Sequence, residues 1–504
     1  MKAFTLSALA LSLLLAGCKP AEVTEPQASK PLAPAVQQQT ADAAWWQQAV
    51  FYQIWPRSFF DTDADGHGDF NGMTAKLPYL QELGVNALWL TPMFEAPSYH
   101  GYDFTEFYQV ESDYGSMAEF DAFLRAAESH GMKVILDLVI NHISSEHDWF
   151  KRSAAGEAPY KDYFVWRDDM PPAGSGWGHA WANNDKPDAV WHFNEQRNAY
   201  YYAAFGASQP DLNLRHPDVV AEMEKMAKFW LDKGVAGFRL DAVRFAMEGG
   251  PDAQADTAET IAYWQDFNQY VKSVNPEAYL VGEAWVDIPI AARYYGEGKG
   301  LDQGFDFEVG YNILSLLKPD ASGEAQFGTM NSNAARVADA AILQRNVRQR
   351  ADSVAPLSFF APFLTNHDQE RIAYQLAEHD AKAKLAAAML FSSPGTPYIY
   401  YGEEIGMANG SGLSGDWALR TPMSWTGQVS GFTSGVPFRA ASANIAVNHV
   451  QAQHGVEGSL HSFYKTLIGL RQRLPSLARG DYSAAWAQGT LMGFQRHWGS
   501  ERTL

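Results

Sequence analysis

The sequence predicts an α/β protein: a (β/α)8 (TIM) barrel with a domain inserted after its third strand and a β-sandwich begun at its C-terminal end. Three observations carry this. Eight short apolar runs recur between Ala49 and Glu404, and amphipathic stretches separate most of them. Alternation of that kind builds a parallel sheet with helices outside, and eight units over about 360 residues close a barrel. One interval breaks the rhythm. About 70 residues rich in Trp, Gly, Asp and Pro follow the third run, too many for a bare loop. The open doubly wound alternative lacks its glycine-rich phosphate loop.

The runs, in order, are "AVFYQIWP" (49–56), "NALWLTP" (86–92), "MKVILDLVI" (132–140), "AGFRLDAV" (236–243), "AYLVGEAW" (278–285), "FDFEVGYN" (305–312), "SFFAPFLTNHD" (358–368) and "TPYIYYGEE" (396–404). Each is read as a barrel strand. Helix patterns lie between them, as in "MAEFDAFLRAAESHG" (117–131), "HPDVVAEMEKMAKFWLDKG" (216–234) and "AKAKLAAAMLFSS" (381–393), with a further helix at 457–473. Gly131 ends its helix just before the next strand. The tail "GDYSAAWAQGTLMGFQRHWGSERTL" reads as two or three β segments.

The N-terminus reads differently. Lys2, an apolar stretch from Ala3 to Leu15 and small residues after it form an export signal, too short to span a membrane. The chain's one cysteine, Cys18, closes "LAGC", which resembles a bacterial lipobox, so no intrachain disulfide is possible. Lys19 after it resembles sorting to the outer membrane. The expected location is the bacterial cell envelope, lipid-anchored, facing periplasm or exterior. Residues 19–41 hold four Pro and no aromatics and read as an extended tether. The expected division is signal 1–18, tether 19–44, barrel 45–142 and 217–475, inserted domain 143–216 and the start of the C-terminal domain at 476–504.

Composition narrows the partners. The chain has 504 residues and a net charge of −20, which disfavours nucleic acid and anionic membrane surfaces. A neutral ligand and a cation suit it better. Aromatic content of 13% is compatible with sugar stacking, although large cores use aromatics too.

Barrel active sites lie at the C-terminal strand ends. There the sequence places Asp137, Asn141 and His142 on the third run, Arg239 and Asp241 on the fourth, Glu283 on the fifth, and Asn366, His367 and Asp368 on the seventh. Packing alone gives little reason for three buried carboxylates on three strands. Two carboxyls of different pKa are what glycoside hydrolysis needs. Arg239 shares a strand face with Asp241 and favours its ionised form, whereas Glu283 in "VGEAW" has drier neighbours that raise a carboxyl pKa. No G-x-S-x-G elbow supports a serine nucleophile.

"DLVINH" (137–142), "GFRLDAVRF" (237–245), "GEAW" (282–285) and "FLTNHD" (363–368) resemble, in order, the four signature regions of the α-amylase family, glycoside hydrolase family 13. The resemblance runs from about residue 49 to the end. It implies a retaining glycosidase with Asp241 as nucleophile, Glu283 as general acid/base and Asp368 as transition-state stabiliser. It assigns Tyr102 and Asp103 of "HGYDF", His142, Arg239, His367 and Arg371 to sugar binding or to orienting the nucleophile. "QPDLN" (209–213) and "GTPYIYYGEEIGM" (395–407) resemble the oligo-1,6-glucosidase and α-glucosidase branch, which releases α-glucose from the non-reducing end. Within that branch Ala242, where α-1,6 cutters carry Val, implies action on α-1,4 linkages, with α-1,6 as an addition.

The loop "DTDADGHGD" (61–69) clusters hard oxygens that suit Ca²⁺ or Mg²⁺. It starts like an EF-hand loop, but position twelve is Gly72. Resemblance to the branch's metal loop implies structural Ca²⁺ on Asp61, Asp63, Asp65 and Asp69, with the His67 carbonyl. Family members continue through more sandwich strands than lie before Leu504, which implies a shortened sandwich or one that continues further. Two other functions compete: a trehalose synthase or other transglycosylating relative, and a non-catalytic glucan-binding barrel, which would be expected to have lost a carboxylate.

Overall fold

The computed structural model describes residues 44–180, 185–318 and 340–504. The signal, Cys18 and nearly all of the expected tether lie outside the described residues. Strands are numbered along the chain.

Eight parallel strands make the barrel: β1 (Phe51–Ile54), β2 (Ala87–Leu90) and β3 (Lys133–Leu138), then, after an insertion holding β4 (Trp166–Arg167), β5 (Trp191–Asn194) and β6 (Ala199–Tyr202), β7 (Gly237–Leu240), β8 (Tyr279–Gly282), β9 (Gln303–Asp306), β10 (Phe360–Pro362) and β11 (Tyr398–Tyr400). The sheet order is β10-β9-β8-β7-β3-β2-β1-β11. A parallel bridge from Phe363 to Tyr398 joins the last strand to the first of that order and closes the ring.

Strand alternation sorts the side chains. One set, including Phe51, Trp89, Ile135, Tyr279, Val281, Phe305, Ala361 and Tyr398, fills the barrel interior. The other set meets the helices in a larger core with residues such as Leu80, Phe120 and Trp230. Phe51 and Tyr398 stack at 4.4 Å inside. Gly237 is required in this layer: its φ is +152°, and a Cβ there would come within 2.0 Å of the Tyr279 carbonyl.

Local signals set the helix ends. Asp69 caps Phe70–Leu83, and Gly84 ends it in the left-handed region at φ 98°. Ser116 and Glu119 form a reciprocal capping box for Met117–Ser129. Pro217 opens Pro217–Asp232, where its missing N–H costs nothing.

The sixth run departs from its reading as a strand. Only Gln303–Asp306 is extended, and Phe307–Leu317 is helical. Asp306 explains the switch, because its side chain accepts from the Val309 N–H at 3.0 Å and starts the helix. The inserted sheet β4-β6-β5 is antiparallel and has its own small core around Trp177, Trp191 and Tyr202. The tail forms an antiparallel sheet of β12 (Ser483–Gln488), β13 (Leu491–Trp498) and β14 (Glu501–Thr503). Buried Arg496 fastens it to the barrel by donating to the Ser392 carbonyl at 2.8 Å, and within the tail it donates to the Asp481 carbonyl at 2.7 Å.

Candidate active site

Residues two apart on a strand share a face, so Asp137 follows Ile135 inward on β3 and Arg239 follows Gly237 inward on β7. Register then pairs Asp137 with Arg239. Asp241 and Glu283 extend the same faces just past β7 and β8. One guanidinium serves all three carboxylates: Arg239 Nη1 meets Asp137 and Asp241 at 2.7 Å each, and Nη2 meets Glu283 at 2.8 Å. Arg239 is 1% exposed. A permanently charged, planar fork suits this position better than lysine.

One cation cannot balance three buried acids. Burial pushes Glu283 up to about 8, against Arg239, and the charges of Asp241, Asp368 and Asp137 push the same way. Burial likewise lifts Asp137 to about 7. Glu283 is thus set up to carry a proton at neutral pH, as an acid must.

A hydrogen-bonded chain backs the cluster. Gln53 Nε2 donates to His367 Nδ1 at 2.7 Å, which leaves the proton of a neutral ring on Nε2. That nitrogen lies 2.6 Å from the Tyr102 hydroxyl, which donates to Asp137 at 3.2 Å. Burial holds His367 well below its ordinary value and His142 down to about 4, so both rings are neutral. Arg420 completes the frame. Its Nη2 meets Asp368 at 2.7 Å and Asp416 at 3.0 Å, and its Nε donates to the His367 carbonyl at 3.0 Å.

These groups surround a cavity of about 310 Å³ at the C-terminal strand ends. Of the residues singled out in the sequence, Asp241, Glu283, Asp368, Tyr102 and His142 line it. Arg239 and His367 sit behind the lining. Asp103 is buried beside them, taking the Ser98 hydroxyl and lying 3.8 Å from His100. Arg371 does not reach the cavity. It is 2% exposed, donates to the carbonyls of Leu419 at 3.0 Å and Tyr401 at 2.7 Å, and lies over the Tyr400 and Tyr401 rings. The turn into the helix Ile372–Gln375 points it away, and it props the loop that carries Arg420.

Sequence reasoning passed over Arg420, Asp416, His100, Phe205, Arg244 and Trp285, which also line the cavity. Arg420 sits in "ALRTPMSW", a loop beyond the last strand with no periodic signal. An Arg among apolar residues was its one trace.

The acidic loop folds on itself. Asp61 accepts from the N–H groups of Asp63, Ala64 and Gly66 at 2.8–3.0 Å. Carboxylate oxygens of Asp61, Asp63 and Asp65 come within 4.8 Å of one another, a hard-oxygen donor set that fits a divalent cation. Asp69 is turned elsewhere: its oxygens accept from Thr62 N and Gly72 N at 2.6 Å each.

With this geometry in place, comparison with known proteins is informative. Residues 53–480 match the alpha amylase catalytic domain. The chain is 35% identical over 442 residues to alpha-amylase 3 of Dictyoglomus thermophilum, covering 86% of this chain and 79% of the relative. It is 31% identical to an oligo-1,6-glucosidase of Parageobacillus thermoglucosidasius, covering 88% and 86%. A solved trehalulose synthase superposes with a TM-score of 0.78 at 27% identity, covering 91% and 90%. The chain belongs to the α-amylase family of glycosidases, the family that its four strand-end motifs resemble.

Proposed function

We propose that the protein is a retaining α-glucosidase that releases α-glucose from the non-reducing end of α-1,4-linked gluco-oligosaccharides, with α-1,6 linkages as an addition. The observation that carries this is the pair Asp241 and Glu283 on one guanidinium, facing one cavity, with Glu283 raised to about 8. Asp241, charge-paired, attacks the anomeric carbon. The bond to the departing oxygen breaks, and Glu283 gives that oxygen its proton. A water then gives a proton back to Glu283 as its oxygen displaces Asp241 from the sugar. Asp368, steadied by Arg420, grips hydroxyls as positive charge grows on the ring. Neutral His142 lines the cavity and offers a hydrogen bond without adding charge, and neutral His367 steadies Tyr102 from behind. The α-1,4 preference rests on the branch resemblance at Ala242, which lines the cavity beside Asp241.

A product profile on maltose, isomaltose, sucrose, trehalose and starch tests this reading. Glucose from maltose is expected, and its absence would overturn the reading. Ala242→Val is expected to raise the isomaltose-to-maltose rate ratio; an unchanged ratio removes Ala242 as the linkage determinant. A transglycosylating activity is the second reading, favoured by Phe205, Phe245 and Trp285 at the cavity wall, which could seat an acceptor sugar in place of water. Rearranged disaccharides from sucrose or maltose would establish it. A non-catalytic barrel would turn over none of these substrates.

A structural Ca²⁺ would be held by Asp61, Asp63 and Asp65 with the His67 carbonyl, cross-linking the loop after β1. Melting with and without a chelator tests this, and an unchanged Tm counts against it. Lipidation at Cys18 with anchorage in the cell envelope is the accompanying proposal for location. Incorporation of labelled palmitate, lost in Cys18→Ser, is its test.

A further inference from the structure

A group of ligand-type side chains lies apart from the catalytic cavity, where the loop after β1 meets the turn Ser112–Tyr114 after β2. His67 Nδ1 stands 3.5 Å from Asp65 Oδ2 and 3.7 Å from Asp113 Oδ2. One donor atom from each of these residues lies within 4.8 Å of the others. None of the three residues lines the catalytic cavity. Local bonds aim them. The His67 N–H donates to Asp65 Oδ1 at 2.7 Å, which leaves Oδ2 to face the ring. Arg57, 6% exposed, donates to Asp113 at 2.5 Å and fixes that carboxylate from behind, as the outer partners of a metal ligand do. Phe438 packs on the imidazole, with ring centroids 5.5 Å apart.

Two features ask for a ligand. His67 Nδ1 is shut off from solvent and has no hydrogen-bond partner among the described residues, an unusual state for a buried polar atom. The charge is also unbalanced. Asp61, Asp63, Asp65, Asp69 and Asp113 stand in or beside the loop, and among the described ion pairs only Arg57 and His67 meet any of them. A divalent ion on Asp61, Asp63 and Asp65 would still leave negative charge here. Donor chemistry then names the class. Calcium takes oxygen ligands, whereas imidazole nitrogen beside carboxylate oxygen suits zinc and its first-row neighbours. Two ligands on a tetrahedral zinc ion stand about 3.4 Å apart when each bond is about 2.1 Å. The two distances from Nδ1 therefore need only slight closure.

We propose that His67 Nδ1, Asp65 and Asp113 form a binding site for Zn²⁺. It shares Asp65 with the oxygen set of Asp61, Asp63 and Asp65 and differs in the rest: the calcium reading uses the His67 carbonyl, and this site uses the ring. The ion bridges the loops of two neighbouring barrel strands, ahead of the helix Met117–Ser129, and water fills its remaining position. Its role is structural, because the site stands outside the cavity that holds Asp241 and Glu283.

Titration calorimetry of Zn²⁺ into untagged protein, stripped with a chelator and then held in excess Ca²⁺, is the test. Excess calcium keeps zinc out of sites built from oxygen alone. Wild type is expected to take up zinc at this site, and its Tm to rise with free zinc. His67→Ala removes the ring and keeps the backbone carbonyl. Asp113→Asn removes the other carboxylate, on a side chain 39% exposed. Each is expected to raise the zinc Kd by about tenfold or more, at least the cost of losing a ligand's outer partner. The Tm of each variant without zinc reports whether it is folded, and the two variants guard against misfolding of either one. No zinc binding by wild type, or zinc held as tightly by either folded variant, overturns the inference. No substrate enters the measurement, so neither outcome touches the α-glucosidase reading.

Discussion

Two groups of buried carboxylates stand at the same end of the barrel chemistry but differ in their partners. Asp137, Asp241 and Glu283 gather on Arg239, and two of the three open onto the cavity. Glu403 and Glu404, just past β11, are sealed among tyrosines. Glu404 accepts from Tyr52 at 2.9 Å and Tyr79 at 2.6 Å, and Glu403 accepts from Tyr464 at 2.8 Å. Neither has an ion-pair partner among the described residues. Burial lifts Glu403 to about 8, the value reached by Glu283. A raised carboxyl is therefore not a mark of catalysis. What separates the groups is a shared cation and an opening to substrate.

The sharpest way to break that contrast is Asp241→Asn. Turnover of p-nitrophenyl α-glucoside should fall by about 10⁴-fold or more, because the attacking oxygen is gone. Thermal stability should hold or rise, since one of three acids crowding a single cation loses its charge. Unchanged turnover would remove Asp241 as nucleophile. Arg239→Ala should damage both properties. It strands buried acids without their cation, a loss of about 3–5 kcal/mol readable by urea unfolding. A stability loss below about 1 kcal/mol would mean that the acids take up protons freely and that the cation does not organise them.

Glu403→Gln sharpens the other side of the comparison. The folded value of about 8 lies above the ordinary 4.5, so the folded state holds this proton more tightly than the unfolded chain. Its contribution is complete below about 4.5 and is lost as pH rises through about 8. Gln cannot ionise and escapes that loss. The stability of the variant relative to wild type should therefore climb from pH 5 to 8, by at most about 1.4 kcal/mol per unit. A flat difference would mean that Glu403 is ionised throughout.

The sequence shows one group far better than the other, for physical reasons. Asp241, Glu283 and Asp368 were legible because polar residues at the ends of apolar runs stand out against a period-two pattern. The eight strands were legible for the same reason, except that "FDFEVGYN" conceals a switch from strand to helix at Asp306, made by one cap rather than by any change in hydrophobicity. Arg420 was missed and Arg371 misassigned because both lie in irregular chain after a strand, where side-chain direction follows turns that composition does not encode. Glu403 and Glu404 end the eighth run, "TPYIYYGEE", and nothing in that run marks them as buried, yet they are 7% and 0% exposed. Their partners Tyr52, Tyr79 and Tyr464 are scattered along the chain, and only the closed ring brings them together. Resemblance to the branch's metal loop implied Asp69 as a ligand, whereas Thr62 and the helix that Asp69 precedes take its oxygens.

Tyr464→Phe should give the smallest effect and the finest test of the comparison. The hydroxyl donates to Glu403 at 2.8 Å and draws the carboxyl value downward against burial. Its loss should cost about 1 kcal/mol near pH 5.5, where the acid is protonated and asks for little. The cost should grow at pH 8.5, because a hydrogen bond to an ionised group is worth roughly twice a neutral one. Turnover should not change, since Tyr464 lies outside the catalytic cavity. A cost independent of pH would mean that Tyr464 supports packing and not the charge state of Glu403. In the catalytic group the matching role falls to Arg239, and there the same logic holds with a full charge: removing the donor destabilises the acids at every pH at which they are ionised.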